Sequence, residues 1–399
     1  MAFDQAPRTA ILFPARQWIP AFILLSFAVI VLLLQGCGMG RNMLMSGMPG
    51  PTTSFAFVSN SGSGTVSAFA VSSSGSLSAI SGSPFAAGAG AEFMALDKVH
   101  NFLFVANQSA NSLSAFAVNT GTGMLSAVPG SPFATGATPL GIAVDPMGKF
   151  VFVANQNGNS VSVFTINGAN GSLTAVPGSP FTGVTSPFGL AVDPSGAFLF
   201  ISNFDGNAGT GNTVSTFSIN AGTGTLTSAD PSLATSTPAG ITAPIGIVSD
   251  GKFLFVGNHM AESVVPFSIK ETSGALSPLA ALPAPASGCG VSCHHNPLRL
   301  AVDPMDKFIY WTNVQAGTLS AFNINNGSLM AISEVSTGQH PFGLAFDPSG
   351  ALLYVVNKAD NSISGFSVNT STGMVAPLPG SPFAEGSSAP TDIVIVAKH

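Results

Sequence analysis

Charged side chains are scarce enough in this chain that the places where they gather carry information. Among 399 residues there are 11 Lys and Arg, 17 Asp and Glu and 6 His, so charge makes up 7% of the sequence, against roughly a quarter in an ordinary soluble domain. Several short segments read Pro, apolar, Gly, as in Pro139-Leu140-Gly141, Pro187-Phe188-Gly189 and Pro244-Ile245-Gly246. Four comparable segments break that pattern with a polar group: Glu92 before Phe93, Arg299 after Asn296-Pro297-Leu298, His340 before Pro341-Phe342, and Asp392 after Pro390-Thr391. An imidazole, a guanidinium and two carboxylates are the parts of a hydrolytic centre. His340 would be the base that activates water, Arg299 the cation that stabilises an oxyanion, and Glu92 and Asp392 the groups that orient them. The same four side chains would also serve as a structural ion-pair network.

A second cluster is Cys289-Gly290-Val291-Ser292-Cys293-His294-His295. In an oxidising compartment the two cysteines most simply close a small disulfide loop. A c-type haem attachment normally has two residues between the cysteines and this has three, and a metal site from His294, His295 and the thiols needs reduced sulfur. Neither cofactor is expected. His259, Asn296, His294 and His295 are candidate binding groups on the face that carries Arg299.

The elements that would position these residues are visible as a repeat. Short β-rich runs close on Asn at 60, 107, 155, 203, 258, 313 and 357, at intervals of 44 to 55 residues. That period is too short for independent domains and marks a repeat architecture. One unit reads as four strands, Leu140 to Asp145, Phe150 to Asn155, Ser160 to Ile166 and Leu173 to Val176, separated by turns. Asp145-Pro146-Met147-Gly148, Asp193-Pro194-Ser195-Gly196 and Asp347-Pro348-Ser349-Gly350 are tight-turn sequences, which assigns their aspartates to the backbone. The asparagines likewise read as caps of the turn between second and third strands, and the Ser-Pro-Phe triplets as edge-strand residues. The first repeat opens at Phe55 on a second strand, while Thr391 to Val396 is a first strand without followers. The fold class is therefore all-β: a seven-bladed β-propeller with four antiparallel strands per blade, closed by the C-terminal strand completing blade 1. The 31 Phe, against 2 Tyr and 2 Trp, fill the spaces between blades.

Ahead of the propeller, the apolar run Ile19 to Leu34 follows Arg8 and Arg16 and leads into Leu34-Gln35-Gly36-Cys37. This resembles a bacterial lipoprotein signal, which implies that Cys37 is lipidated and becomes the first mature residue; an uncleaved membrane anchor is the other reading. The domains are then 1–37 signal, 38–53 tether and 54–399 propeller. Gly38 after the cysteine resembles outer-membrane sorting, so the cell envelope, periplasmic or at the surface, is the expected location. Without residues 1–37 the chain keeps 9 basic and 16 acidic residues, which argues against nucleic-acid binding. So few carboxylates also predict a weak dependence of unfolding on pH.

Runs such as Phe150-Val151-Phe152-Val153-Ala154-Asn155 and Phe342-Gly343-Leu344-Ala345-Phe346-Asp347-Pro348-Ser349-Gly350 resemble two related propeller groups. These are the bacterial YVTN-repeat surface proteins and the seven-bladed lactonases similar to 6-phosphogluconolactonase and carboxymuconate cycloisomerase. The resemblance covers Ser54 to Ala397 and implies the fold. Lactonases of that group carry a His directly before the small residue that opens a first strand. Here that place holds Leu140, Phe188, Ile245, Phe342 or Thr391, with His340 two residues earlier. A lipid-anchored monomer that binds a protein, glycan or small lactone at its channel mouth is the first expectation. A lactone hydrolase is the second and a haem electron-transfer protein the third.

Overall fold

The computed structural model describes residues 52–204, 212–229, 241, 243–280, 282–283 and 296–399. Cys37, Cys289, Cys293, His294 and His295, and with them the lipidation, the disulfide and two of the binding residues, lie outside the described residues. Seven antiparallel sheets follow one another along the chain, each built from an inner, a second, a third and an outer strand, the outer one short except in blade 6, where it runs over Ser328–Ser336. In blade 3 these are Pro139–Val144, Phe150–Asn155, Ser160–Ile166 and Leu173–Ala175. This is the seven-bladed propeller that the sequence predicts. In this blade the inner strand opens and ends one residue earlier than expected, on Pro139 and Val144, and the outer strand stops one residue short. Pro390–Ala397 is the inner strand of blade 1 and pairs along Thr52–Asn60, from Ser54↔Ala397 to Asn60↔Pro390.

The repeated residue types hold this arrangement by the same contacts in successive blades. The Asn155 side chain, fully buried, donates to Ser160 at 3.1 Å and Ser162 at 2.9 Å and accepts from the Gly136 amide at 3.1 Å. Asn107, Asn203, Asn313 and Asn357 donate in the same way to a pair of hydroxyls on their third strands. The Asp145 carboxylate accepts the Lys149 and Phe150 amides at 2.6 Å each and the Met147 amide at 3.2 Å, which closes the turn from inner to second strand. Both series are structural, as the turn chemistry indicates.

Between blades the lock is aromatic. Three residues before the closing Asn of every second strand stands a ring, Phe57, Phe104, Phe152, Phe200, Phe255, Tyr310 or Tyr354, and all seven are 0% exposed. The residue two places before that ring packs under the hairpin glycine of the next blade: a Cβ on Gly171 would lie 2.6 Å from Phe102, and one on Gly224 2.6 Å from Phe150. These glycines also have positive φ, so both the space and the backbone require Gly.

The outer strand of four blades is interrupted by the Ser-Pro-Phe triplet. In blade 2, Leu125–Ala127 pairs with one end of the third strand and Phe133–Ala134 with the other. Across the break the Ala115 amide donates to the Ser131 hydroxyl at 3.0 Å, which replaces the missing ladder bond. Ser83, Ser179 and Ser381 do the same for Ala68, Val163 and Gly365.

Replacing Asn155 by Ala strands two hydroxyls and an amide in a buried site. The expected loss is about 2 kcal/mol, read as a lower denaturation midpoint; a change within about 0.5 kcal/mol would mean that the asparagine does not tie the strands together.

Candidate active site at the channel mouth

Each inner strand opens opposite the end of its second strand, as Pro139↔Asn155 and Pro341↔Asn357 show. The inner-strand openings and the second-to-third-strand loops therefore share one face, here the upper face. The aspartate turns and the third-to-fourth-strand turns form the lower face. Down the axis runs a cavity of about 650 Å³ whose wall is mostly apolar, with Met94, Ile142, Leu190, Val248, Leu344 and Ile393 from six blades. Arg299 and Asp392 line it as well, at its upper end.

The third place of the inner strand decides what sits at that mouth. It is Gly141, Gly189, Gly246 and Gly343 in four blades and Phe93, Arg299 and Asp392 in the other three. A Cβ on Gly141 would lie 2.1 Å from the Phe188 carbonyl oxygen of the next blade, so close approach of the strands forces glycine there. A Cβ on Gly343 would lie 2.5 Å from the Asp392 carboxylate; that glycine leaves the space the carboxylate fills.

Across the ring, the Arg299 guanidinium donates to Asp392 Oδ2 at 2.7 Å and lies 4.2 Å from the centroid of Phe93. The Met94 amide donates to the same carboxylate oxygen at 3.0 Å. Arg299 is fixed at its root by its own amide, which donates to the Thr312 hydroxyl at 3.3 Å, while that hydroxyl donates to the Phe342 carbonyl at 2.8 Å. A second pair stands beside the first: Lys358 Nζ is 3.5 Å from Glu92 Oε1 and 4.4 Å from the centre of the Phe342 ring. The Glu92 backbone carbonyl accepts the hydroxyls of Ser59 at 2.6 Å and Thr391 at 2.7 Å. Both cations thus have a carboxylate and an aromatic face.

Exposure divides these groups by sign. The Arg299 and Lys358 side chains are 25% and 30% exposed, whereas Asp392 and Glu92 are 4% and 10% exposed. Burial pushes both carboxyls up from their ordinary range. Lys358 and the Ser61 hydroxyl pull Glu92 back, as do Arg299 and the Met94 and Ile393 amides for Asp392, without offsetting the burial.

Of the four predicted catalytic residues the fold gathers three. His340 stands apart: it is exposed, its backbone has φ 52°, and it lines a separate depression with Gln315, Thr337 and Asp360. Its place, directly before the residue that opens the inner strand, a proline in six blades and Ala91 in blade 2, has positive φ throughout, at Gly90, Thr138, Ser186, Ala243, Asn296, His340 and Ala389. Of the four binding candidates, Asn296 and His259 meet at 3.5 Å through Nδ2 and Nε2, and burial lowers the pKa of His259. His100, in the turn after the inner strand of blade 2, has its Nδ1 2.8 Å from Asp97 Oδ2. Among the described residues no group of three or more His, Cys, Asp or Glu could hold a metal ion, and no helix is long and apolar enough to cross a membrane.

Lys358, Phe93 and Phe342 are the residues missed from the sequence. Lys358 had a signal: it follows Asn357, and the equivalent residues elsewhere are Ser61, Gln108, Gln156, Phe204, His259 and Val314, none of them an amine. Not every ring is core, either, since Phe188, Phe204 and Phe342 are half-buried at the mouth. Phe188 packs edge-on to Phe93 at 5.9 Å and to Phe204 at 6.1 Å.

A carboxyl raised on folding binds its proton more tightly in the fold than in the unfolded chain, so protonation stabilises the fold. That gain appears as pH falls through the raised value and is complete below the ordinary glutamate value of 4.5. Wild type is therefore expected to gain stability relative to Glu92→Gln as pH is lowered from neutrality to that value, measured as the difference in melting temperature. A difference that is flat or reversed in sign would contradict the raised pKa.

The model of the family described as Lactonase, 7-bladed beta-propeller matches residues 50–243, 212–287 and 248–388. No curated protein matches the sequence. Among solved structures, a candidate 6-phosphogluconolactonase from Bacteroides fragilis superposes with a TM-score of 0.71 at 21% identity, over 86% of this chain and 98% of that one. The periplasmic gluconolactonase of Pseudomonas aeruginosa also gives 0.71, at 20% identity over 87% of this chain and 100% of its own. At such identities the likeness shows the fold. With the family model covering nearly the whole propeller, the chain belongs to the seven-bladed β-propeller lactonase family.

Proposed function

We propose that this protein is a lipid-anchored propeller of the cell envelope that binds a small anionic sugar derivative, a sugar acid or its lactone, at the upper mouth of its channel. The observation that carries this reading is the layering of charge: two partly exposed cations above two nearly buried carboxylates. Each carboxylate fixes its cation and leaves the outer N–H groups for a ligand. The half-buried rings of Phe188, Phe204 and Phe342 beside them suit the C–H faces of a sugar ring. The anchor rests on the sequence from Ile19 to Cys37.

Family membership favours a second reading, lactone hydrolysis. Glu92, with its raised pKa, would take the proton from the attacking water, and Arg299 and Lys358 would polarise the lactone carbonyl. His340 has no part in it.

Calorimetric titration with gluconate, 6-phosphogluconate and glucose separates these cases. The two acids are expected to bind and glucose not, with Arg299→Met weakening the acids about tenfold or more; equal affinity for glucose would refute anion recognition. Glucono-δ-lactone opened faster than in buffer, with the excess lost in Glu92→Gln, would establish the second reading, and no excess would remove it.

A further inference from the structure

The lower face carries a pattern that the channel mouth does not use. Seven large apolar side chains are exposed among the described residues, and six of them, Val99, Met124, Met147, Met305, Met330 and Met374, lie at the lower turns or the feet of outer strands. Met147 and Met305 are 63% and 64% exposed. Only Met260 belongs to an upper loop. The cations divide in the same way. Of the eight described, Lys98, Lys149, Lys252, Lys270, Lys307 and Lys398 are exposed on the lower face, and the other two are Arg299 and Lys358 at the upper mouth.

Most carboxylates of the lower face lie beneath these lysines, not beside them at the surface. Asp97, Asp145, Asp193, Asp303 and Asp347 are buried in their turns, where they accept backbone amides. Asp250 accepts the Lys252 and Phe253 amides in the same way. Among the described residues of this face, Asp306, Glu271 and the C-terminal carboxylate of His399 remain as exposed acids. The chain also joins the propeller on this face, because Thr52–Asn60 runs from its lower end at Thr52 to its upper end at Asn60. The sequence before Thr52 holds the apolar run and Cys37.

We propose that the lower face rests on the bilayer, with the methionines in the interfacial layer and the lysines on anionic lipid headgroups, so that the channel mouth points away from the membrane. Flexible thioether side chains enter the acyl boundary at little entropic cost, and lysines reach past them to phosphate. In the exposed layer that would meet the headgroups, six lysines stand against three acids. The orientation rests on the anchor of the proposed function, whereas the affinity of the face does not.

The test uses the full chain with Met147→Trp, Met305→Trp or Met260→Trp, added to vesicles of brominated phosphatidylcholine with about 30 mol% phosphatidylglycerol. After subtraction of wild-type emission, the two lower tryptophans are expected to be quenched about twofold relative to unbrominated vesicles and Met260→Trp not at all. Exchanging Lys149 and Lys307 for Gln should reduce vesicle binding at low salt. Quenching of Met260→Trp alone, or of none of the three while the chain sediments with the vesicles, would overturn the proposal. So would a concentration-dependent dimer that shields the lower tryptophans without lipid. The mass of the first mature residue tests the anchor separately: an unmodified Cys37 removes the tether and leaves the vesicle result to judge the face.

Discussion

The antiparallel ladder between Pro390–Ala397 and Thr52–Asn60 is the contact on which everything else here depends. It joins the two ends of the propeller, so no blade is left with an open inner edge. It also carries chemistry. The closing strand delivers Asp392 to Arg299 and Thr391 to the Glu92 carbonyl, so the mouth is complete only when the ring is closed. Six of the junctions around the ring repeat one motif, a second-strand Phe under the next blade's hairpin glycine. At the seventh, which returns to blade 1, Leu352 takes the place of the ring against Gly75.

A chain with so little charge has placed two ion pairs side by side at one end of its axis. Removing carboxylates from water is costly, and one partner without the other would leave an uncompensated buried charge. Here each carboxylate also has backbone amides or a hydroxyl, and each cation has an aromatic face, so the desolvation is met by several contacts. The cost is visible in the upward displacement of both carboxyls. Arg299 and Lys358 stand further out than the carboxylates that hold them, and the proposed anion site rests on that asymmetry.

Much of this was legible in the residues. The asparagine and aspartate series, the Ser-Pro-Phe edges and the tail-to-head closure follow from turn chemistry repeated in register, and the structure places them where that chemistry requires. Glu92, Arg299 and Asp392 stood out because they break a Pro-apolar-Gly column. His340 was misplaced because the residue before the opening proline takes a positive φ, and its side chain lies outside the channel. Phe93 and Phe342 were hidden among 31 phenylalanines, since sequence alone does not separate a ring between blades from a ring under a cation. Lys358 lay in a column that needed reading across all seven blades.

The two faces differ in kind: the upper one concentrates paired charge around a cavity, and the lower one spreads lysines and methionines over its rim. A crystal structure with 6-phosphogluconate bound is the most direct test of what the upper face is for. The account predicts the anion against the Arg299 guanidinium and the Lys358 ammonium, with both carboxylates still beneath them. Ligand beside His340 instead, or no ligand at the mouth at saturating concentration, would contradict it.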